Sequence, residues 1–260
     1  MHRTPRTRRT RVAVALGAAM LLGGCSAPGR AESSTEELVV FAAASLGDAF
    51  GELERRFEAQ HPRFDVVLNL GGSAELARQL EQGAPADVFA AADERTMRLA
   101  ADAGAVSAPR ALANNSLVLA VPEGNAAGVS ALDDLARSDL AVVLCAVEVP
   151  CGALAARVLA DAGVTASPDS LEQNVRSVLT RLELGEADAG LVYASDVAGR
   201  PVAVVPVDGV AAFTTEYQIA AVSSSASASA SASTGARAFI DFVLSQEGVG
   251  VLQRAGLAPA

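Results

Sequence analysis

Two serines carry the first chemical signal. Ser45 closes the apolar, strand-like run Val40-Phe-Ala-Ala-Ala-Ser45, after which Leu46, Phe50, Leu53 and Phe57 recur at a helical spacing. Ser73 follows a second such run through Gly71 and Gly72, and Leu76, Ala77 and Leu80 again continue at a helical spacing. Where a strand hands over to a helix, the first backbone N–H groups lack partners and the helix dipole is positive, so neutral donors alone can hold a small anion. A serine in that place is either a structural cap or part of an anion site, and both serines are candidate N-caps.

The remaining reactive side chains narrow the chemistry. A serine nucleophile needs a general base. His2 lies in an N-terminal leader, which leaves His61, in Gln60-His61-Pro62, as a surface residue at the end of a helical pattern. The chain has no Lys, and neither serine sits in a Gly-x-Ser-x-Gly turn, so a secreted serine hydrolase fails on inventory. Cys145 and Cys151 bracket Cys145-Ala-Val-Glu-Val-Pro-Cys151. In an oxidising compartment that spacing points to a disulfide; a metal site is the sharper alternative, but it lacks further ligands.

Residues 1–24 hold five Arg and no acid, followed by the apolar run 12–22, the two parts of a secretory signal. The run is too short to span a bilayer as a mature helix. Leu22-Gly-Gly-Cys25 resembles a lipobox, in which the cysteine is lipidated and becomes the new N-terminus. The pair Arg8-Arg9 is a weak twin-arginine signal, because Arg11 stands where that motif needs an apolar residue. Residues 25–37, rich in Ser, Glu, Ala and Gly, read as a flexible tether. The expected location is extracytoplasmic, anchored to the cell membrane through Cys25. A chain starting at Cys25 carries 15 Arg against 30 carboxylates, a net of −15. That balance excludes a nucleic-acid partner.

Residues 38–260 must position this chemistry. Half the chain is apolar, yet it has no Trp and 4% aromatics, so Ala, Val and Leu build the core; α/β layers suit that better than a β-sandwich. Apolar runs predict strands over 38–44, 64–70, 86–91, 114–121, 140–144, 189–193, 202–207 and 213–222. Helical patterns cover 46–60, the stretch after Ser73, 93–103 with Asp93 as cap, 152–162, 171–184 and 236–254. Strands alternating with helices imply mostly parallel sheets flanked by helices. The strand over 114–121 is a candidate crossover between two lobes, with a return over 206–213. The expected division is lobe 1 over 38–114 and 213–260, and lobe 2 over 115–212. The Ala/Ser tract 223–234 reads as a surface loop.

Six stretches, Phe41-Ala-Ala-Ala-Ser45, Gly71-Gly-Ser73-Ala-Glu-Leu, Gly83-Ala-Pro-Ala-Asp-Val-Phe-Ala-Ala-Ala-Asp93, Val149-Pro-Cys-Gly152, Asn174-Val-Arg176 and Gly190-Leu-Val-Tyr-Ala-Ser-Asp196, together resemble the molybdate-binding proteins of ABC importers. The resemblance runs from about residue 38 to the C-terminus. It implies a two-lobed periplasmic-binding-protein fold of type II that closes on a tetrahedral oxyanion in the interlobe cleft. On this resemblance Ser45 and Ser73 match two ligand serines, Cys151 and Val175 match backbone N–H donors, and Tyr193 matches a tyrosine whose hydroxyl reaches the anion. Cys151 departs from the family's small residue, usually Ala, but the role belongs to the peptide group. The implied activity is capture of molybdate, and of tungstate, for a membrane permease by a monomer. There is no enzymatic step and no cofactor, and molybdenum is present only as the bound oxyanion, without direct metal ligands. Sulfate or phosphate is the alternative cargo.

The residues agree with this in their own terms. Pro150-Cys151-Gly152 is a Pro-led helix start, Asn174 can shape the backbone at Val175, and Tyr193 ends an apolar strand where a phenol needs a polar partner. All these donors are neutral. Phosphate keeps a proton at neutral pH and needs an acceptor, so a site made only of donors prefers a fully deprotonated dianion. Asp48, Glu75 or Glu148 would break that preference by pointing inward. Arg176, beside Val175, reads as a surface residue.

Overall fold

The computed structural model describes residues 35–223 and 230–260, with backbone alone over 230–233. Residues 1–24, read above as a leader, Cys25, residues 26–34 of the expected tether and residues 224–229 of the Ala/Ser tract lie outside the described residues.

The first βα unit follows its hydrophobic pattern. β1 (Glu36–Ala43) passes through a 3-10 turn (Ala44–Leu46) into α1 (Gly47–Gln60), whose stripe Phe50, Leu53 and Phe57 is fully buried. The Phe57 ring lies 5.9, 5.2 and 5.7 Å from those of Phe64, Phe239 and Phe242, an aromatic cluster that ties α1 to the C-terminal helices. Each such buried ring contributes roughly 1.5–3 kcal/mol. β2 (Phe64–Gly71) leads into α2 (Ser73–Glu81), and β3 (Val88–Ala91) into α3 (Glu94–Asp102). The long β4 (Val106–Pro122) precedes β5 (Val142–Cys145), α4 (Pro150–Asp161), β6 (Ser170–Glu172), α5 (Val175–Glu183), β7 (Ala189–Tyr193) and β8 (Val202–Val205). The chain ends with β9 (Thr214–Val222), α6 (Ala230–Val243) and α7 (Gln246–Arg254).

The strands form one sheet in the order β2-β1-β3-β9-β4-β7-β5-β6, with β8 also paired to β4. β1 runs parallel to β2 and β3, and β5 runs parallel to β6 and β7, which makes two parallel wings. The antiparallel centre consists of β4 with β8 and β9. β4 serves both sides: residues 106–116 pair with β9, and residues 117–122 pair with β7 and β8.

Local pattern misassigned several ends. Neither Ser45 nor Ser73 caps a helix. Leu46 and Gly72 occupy the N-cap positions of α1 and α2, and neither helix has a side-chain cap bond. Both serine hydroxyls are instead engaged by groups from distant parts of the chain. The segment 171–184 is not all helix. Residues 170–172 pair with β5, and Asn174 then caps α5, its Oδ1 accepting the Ser177 N–H at 3.0 Å. A ladder partner is invisible to helical spacing. The terminal helix over 236–254 is two helices, because Ser245 donates to the Phe242 carbonyl at 2.6 Å and accepts the Gly248 N–H at 3.2 Å, ending α6 and capping α7. α6 starts at Ala230, so the last residues of the Ala/Ser tract are helical, in keeping with the helix propensity of Ala. The 114–121 strand begins earlier, at Val106. Asp93 caps α3 as expected, accepting the Thr96 N–H at 2.8 Å.

Candidate functional site

Six parallel strands, three in each wing, end at one place, the crevice outside the carboxyl ends where open α/β sheets hold ligands. The segments that follow β1, β2, β3, β5 and β6, with the end of β7, enclose a single cavity, and Ser45, Ser73, Cys151, Val175 and Tyr193 all line it. The space open to the centre of a water molecule is about 20 Å³. That equals a ball roughly 1.7 Å in radius, so adding a water radius of about 1.4 Å leaves room for a compact body about 3 Å in radius. A tetrahedral oxyanion has that size and shape; a sugar or a peptide does not.

The cavity presents donors. Cys151 is the second residue of α4 behind Pro150, and Val175 is the first residue of α5 behind its Asn174 cap, so neither N–H has an acceptor within its helix. Ser73 opens α2 in the same way. The Ser73 Oγ accepts the Ala92 N–H at 3.0 Å, and the Ser45 Oγ lies 2.8 Å from the Tyr217 hydroxyl. The Tyr193 hydroxyl is buried beside that of Tyr217 and makes no well-formed hydrogen bond among the described residues. Burial raises the Tyr193 phenol well above its ordinary pKa, which keeps it a donor. A buried polar atom without a partner costs about 1–3 kcal/mol, and an anion in the cavity would supply the missing acceptor.

No carboxylate lines the cavity among the described residues. Glu75 accepts from Gln79 at 3.3 Å, Glu148 is exposed, and Asp48 pairs outside the cavity with Arg176 at 3.2 Å and Arg200 at 3.0 Å. Partial burial works to raise the Asp48 pKa, but the hydrogen bonds from Arg200 and Arg176 outweigh it and hold the carboxyl below its ordinary value. Arg176 therefore faces acids rather than the cavity. Its other neighbour is Asp196, 3.7 Å away and fully buried. The spacing of the sequence pointed to neither pair; Asp196 sits in the stretch that begins at Gly190, but nothing in that stretch marks it as buried. His61 packs its ring 4.4 Å from that of Phe57, and it does not line the cavity. Among the described residues no group of His, Cys, Asp and Glu is placed to hold a metal ion.

Cys145 and Cys151 form a disulfide with Cα atoms 5.7 Å apart, which ties the end of β5 to the first turn of α4. Close approach is also built into two glycines. A Cβ on Gly152 would stand 1.9 Å from the Ala146 carbonyl oxygen, and one on Gly72 would stand 2.4 Å from that of Gln173. The second contact joins the two wings across the mouth of the cavity.

A family model described as bacterial extracellular solute-binding protein matches residues 38–258. The molybdate-binding protein ModA of Mycobacterium tuberculosis is 36% identical over 236 residues, covering 90% of this chain and 88% of that one. The molybdate-binding protein ModA of Escherichia coli is 32% identical over 243 residues, covering 88% and 91%. Among solved structures, the periplasmic molybdate-binding protein of Azotobacter vinelandii superposes with a TM-score of 0.70 at 21% identity, over 86% of this chain and 99% of that one. That likeness is one of fold, the two-winged α/β arrangement of periplasmic binding proteins.

Proposed function

Because the chain belongs to the bacterial extracellular solute-binding protein family, its cavity is a place for cargo rather than a catalytic centre, and we propose that the cargo is molybdate, with tungstate as a second ligand of the same shape and charge. One observation carries this reading: five residues able to donate, and no carboxylate, line a space the size of one oxyanion, and the hydroxyl of one of them, Tyr193, is buried without a well-formed hydrogen bond among the described residues. Hydrogen bonds to a charged acceptor in a water-poor site are strong, so neutral donors suffice. The molybdate-binding relatives support the choice of metal oxyanion.

The ligand set we propose is the hydroxyls of Ser45, Ser73 and Tyr193 with the N–H groups of Cys151 and Val175. The two wings act as lobes hinged at β4 and β9 and deliver the anion to the permease of an ABC importer, the protein acting as a monomer. Titration calorimetry with molybdate, tungstate, sulfate and phosphate at neutral pH tests the cargo. Molybdate and tungstate should bind far more tightly than the other two, and tightest binding of sulfate or phosphate would overturn the assignment. The lipobox motivates an anchored protein; a Cys25→Ser chain should move from the membrane fraction to the soluble one, and its retention there would exclude lipidation as the anchor.

A further inference from the structure

Behind the cavity, two residues of β9 stand next to the groups that the two serines meet. Thr215 and Tyr217 alternate on one face of the strand and are both buried. Thr215 Oγ1 donates to the Ala92 carbonyl at 2.7 Å, and the Ala92 N–H in turn fills a lone pair of Ser73. The Tyr217 hydroxyl stands against the Ser45 Oγ at 2.8 Å, and behind it lies Asn115 of β4. The orientation of the Asn115 amide is fixed by its surroundings: its Oδ1 accepts the Ser116 N–H at 3.0 Å, so its Nδ2 donates to the Ser195 hydroxyl at 2.8 Å and to the Tyr217 oxygen at 3.3 Å.

A hydroxyl has one proton and two lone pairs. At Ser73 the backbone N–H takes an acceptor position, so the single proton is left for the cavity. At Ser45 a relay offers the same outcome. Asn115 fills one acceptor position on the Tyr217 oxygen; either hydroxyl of the Tyr217–Ser45 pair can donate, and when Tyr217 gives its proton to the Ser45 Oγ the Ser45 proton is left for the cavity. Burial raises the Tyr217 phenol above its ordinary pKa, so that proton is present throughout the working range.

We propose that Tyr217, oriented by Asn115, is a positioning residue that fixes the Ser45 hydroxyl as a donor and so makes the site reject oxyanions that carry a proton. This rests on the oxyanion reading above. Tyr217 does not line the cavity; it acts through Ser45, by occupying one of its two lone pairs and turning its single proton to the cavity, so that hydrogen phosphate meets a donor where its own proton needs an acceptor.

The test is the ratio of phosphate to molybdate dissociation constants, measured by calorimetry for the wild type, Tyr217→Phe, Ser45→Ala and the double variant. Tyr217→Phe keeps the ring and removes the relay. It should weaken molybdate binding about tenfold and lower the ratio by tenfold or more, because phosphate gains an acceptor while molybdate loses a preset donor. In the Ser45→Ala background the same change should leave the ratio unaltered, since there is no hydroxyl left to orient. An equal loss for both anions would mark Tyr217 as merely structural and overturn the proposal, as would a shift in the ratio that persists without Ser45. Should Tyr217→Phe fail to fold, Asn115→Ala carries the same test, with the same direction expected. If the wild type binds molybdate selectively and the ratios do not move, the relay alone is wrong; if it binds no oxyanion, the functional reading falls and the relay with it.

Discussion

At the scale of single residues, the cavity is organised by which atom of each hydroxyl is already occupied. The Ser73 Oγ accepts the Ala92 N–H and the Ser45 Oγ is paired with the Tyr217 hydroxyl, while the Tyr193 hydroxyl has no well-formed hydrogen bond among the described residues. This separates the effects of Tyr193→Phe on stability and on binding. Deleting a buried hydroxyl without a partner should leave the melting temperature of the ligand-free protein no lower than that of the wild type, whereas molybdate binding should lose about 1.5–3 kcal/mol, the worth of a hydrogen bond to a charged group. Differential scanning calorimetry and titration calorimetry read the two effects separately. A lower melting temperature together with full affinity would show that the hydroxyl has a structural partner and no ligand.

At the scale of elements, helix starts from both wings are aimed at one point, and backbone contacts hold them there. The disulfide pins the first turn of α4, and Gly152 lets that turn lie against the Ala146 carbonyl. Gly72 plays the corresponding part between wings, since its Cα faces the Gln173 carbonyl with no room for a methyl group. Its φ of −65° is open to any residue, so the requirement is one of space alone. Gly72→Ala should fold normally but be unable to bring the wings together around a ligand. The expected result is an unchanged melting temperature without ligand and loss of the molybdate-induced rise. A variant that shows the full rise would mean that this contact is not needed for binding.

Across the whole molecule, charged groups bridge the wings on both sides of the cavity. Asp48 of α1 meets Arg176 and Arg200, and Arg95 of α3 donates to the Glu148 carbonyl at 2.7 Å. Such exposed pairs contribute little singly, about 0–1 kcal/mol. Asp196 beneath them is different. Desolvation raises its pKa from 3.8 to about 7, against the opposing pull of Arg176 and with Asp48 and Arg200 as more distant charges. The unfolded chain releases this proton near pH 4 and the folded chain keeps it until about pH 7. Between those values the unfolded state holds fewer protons, and stability falls as pH rises; outside them this contribution is flat. Three pKa units correspond to about 4 kcal/mol. Asp196→Asn should therefore melt higher than the wild type at pH 8, and the gap should shrink as pH falls toward 4. Parallel melting curves for the two proteins across that range would show that Asp196 does not titrate there.

Most of the strands and helices were legible in the sequence, though not β6 or the break at Ser245, and the five residues that line the cavity were named there through the family resemblance. Periodic burial and chain-local signals, such as Pro150 before a helix or Asp93 three residues before Thr96, depend on neighbours close in the chain. The roles of the serines were not legible in the same way. Ser45 and Ser73 read as N-caps because a cap is the nearest local use for a hydroxyl at a helix start, yet their partners are Tyr217 and Ala92, 172 and 19 residues away. Tyr217 was one of only two tyrosines in the chain and lay in an alternating strand, which hinted at a special place without saying which hydroxyl it would meet. Asp196 looked like any acid after a strand until packing removed its water. The sequence by itself thus determined most of the elements, because these follow from propensity and periodicity along the chain, and through the family resemblance it implied the kinds of donor they carry. Only the tertiary structure decided which partner each hydroxyl meets and which carboxylates stay out of the cavity, because hydrogen-bond partners and desolvation are set by atoms that folding brings together from distant parts of the chain.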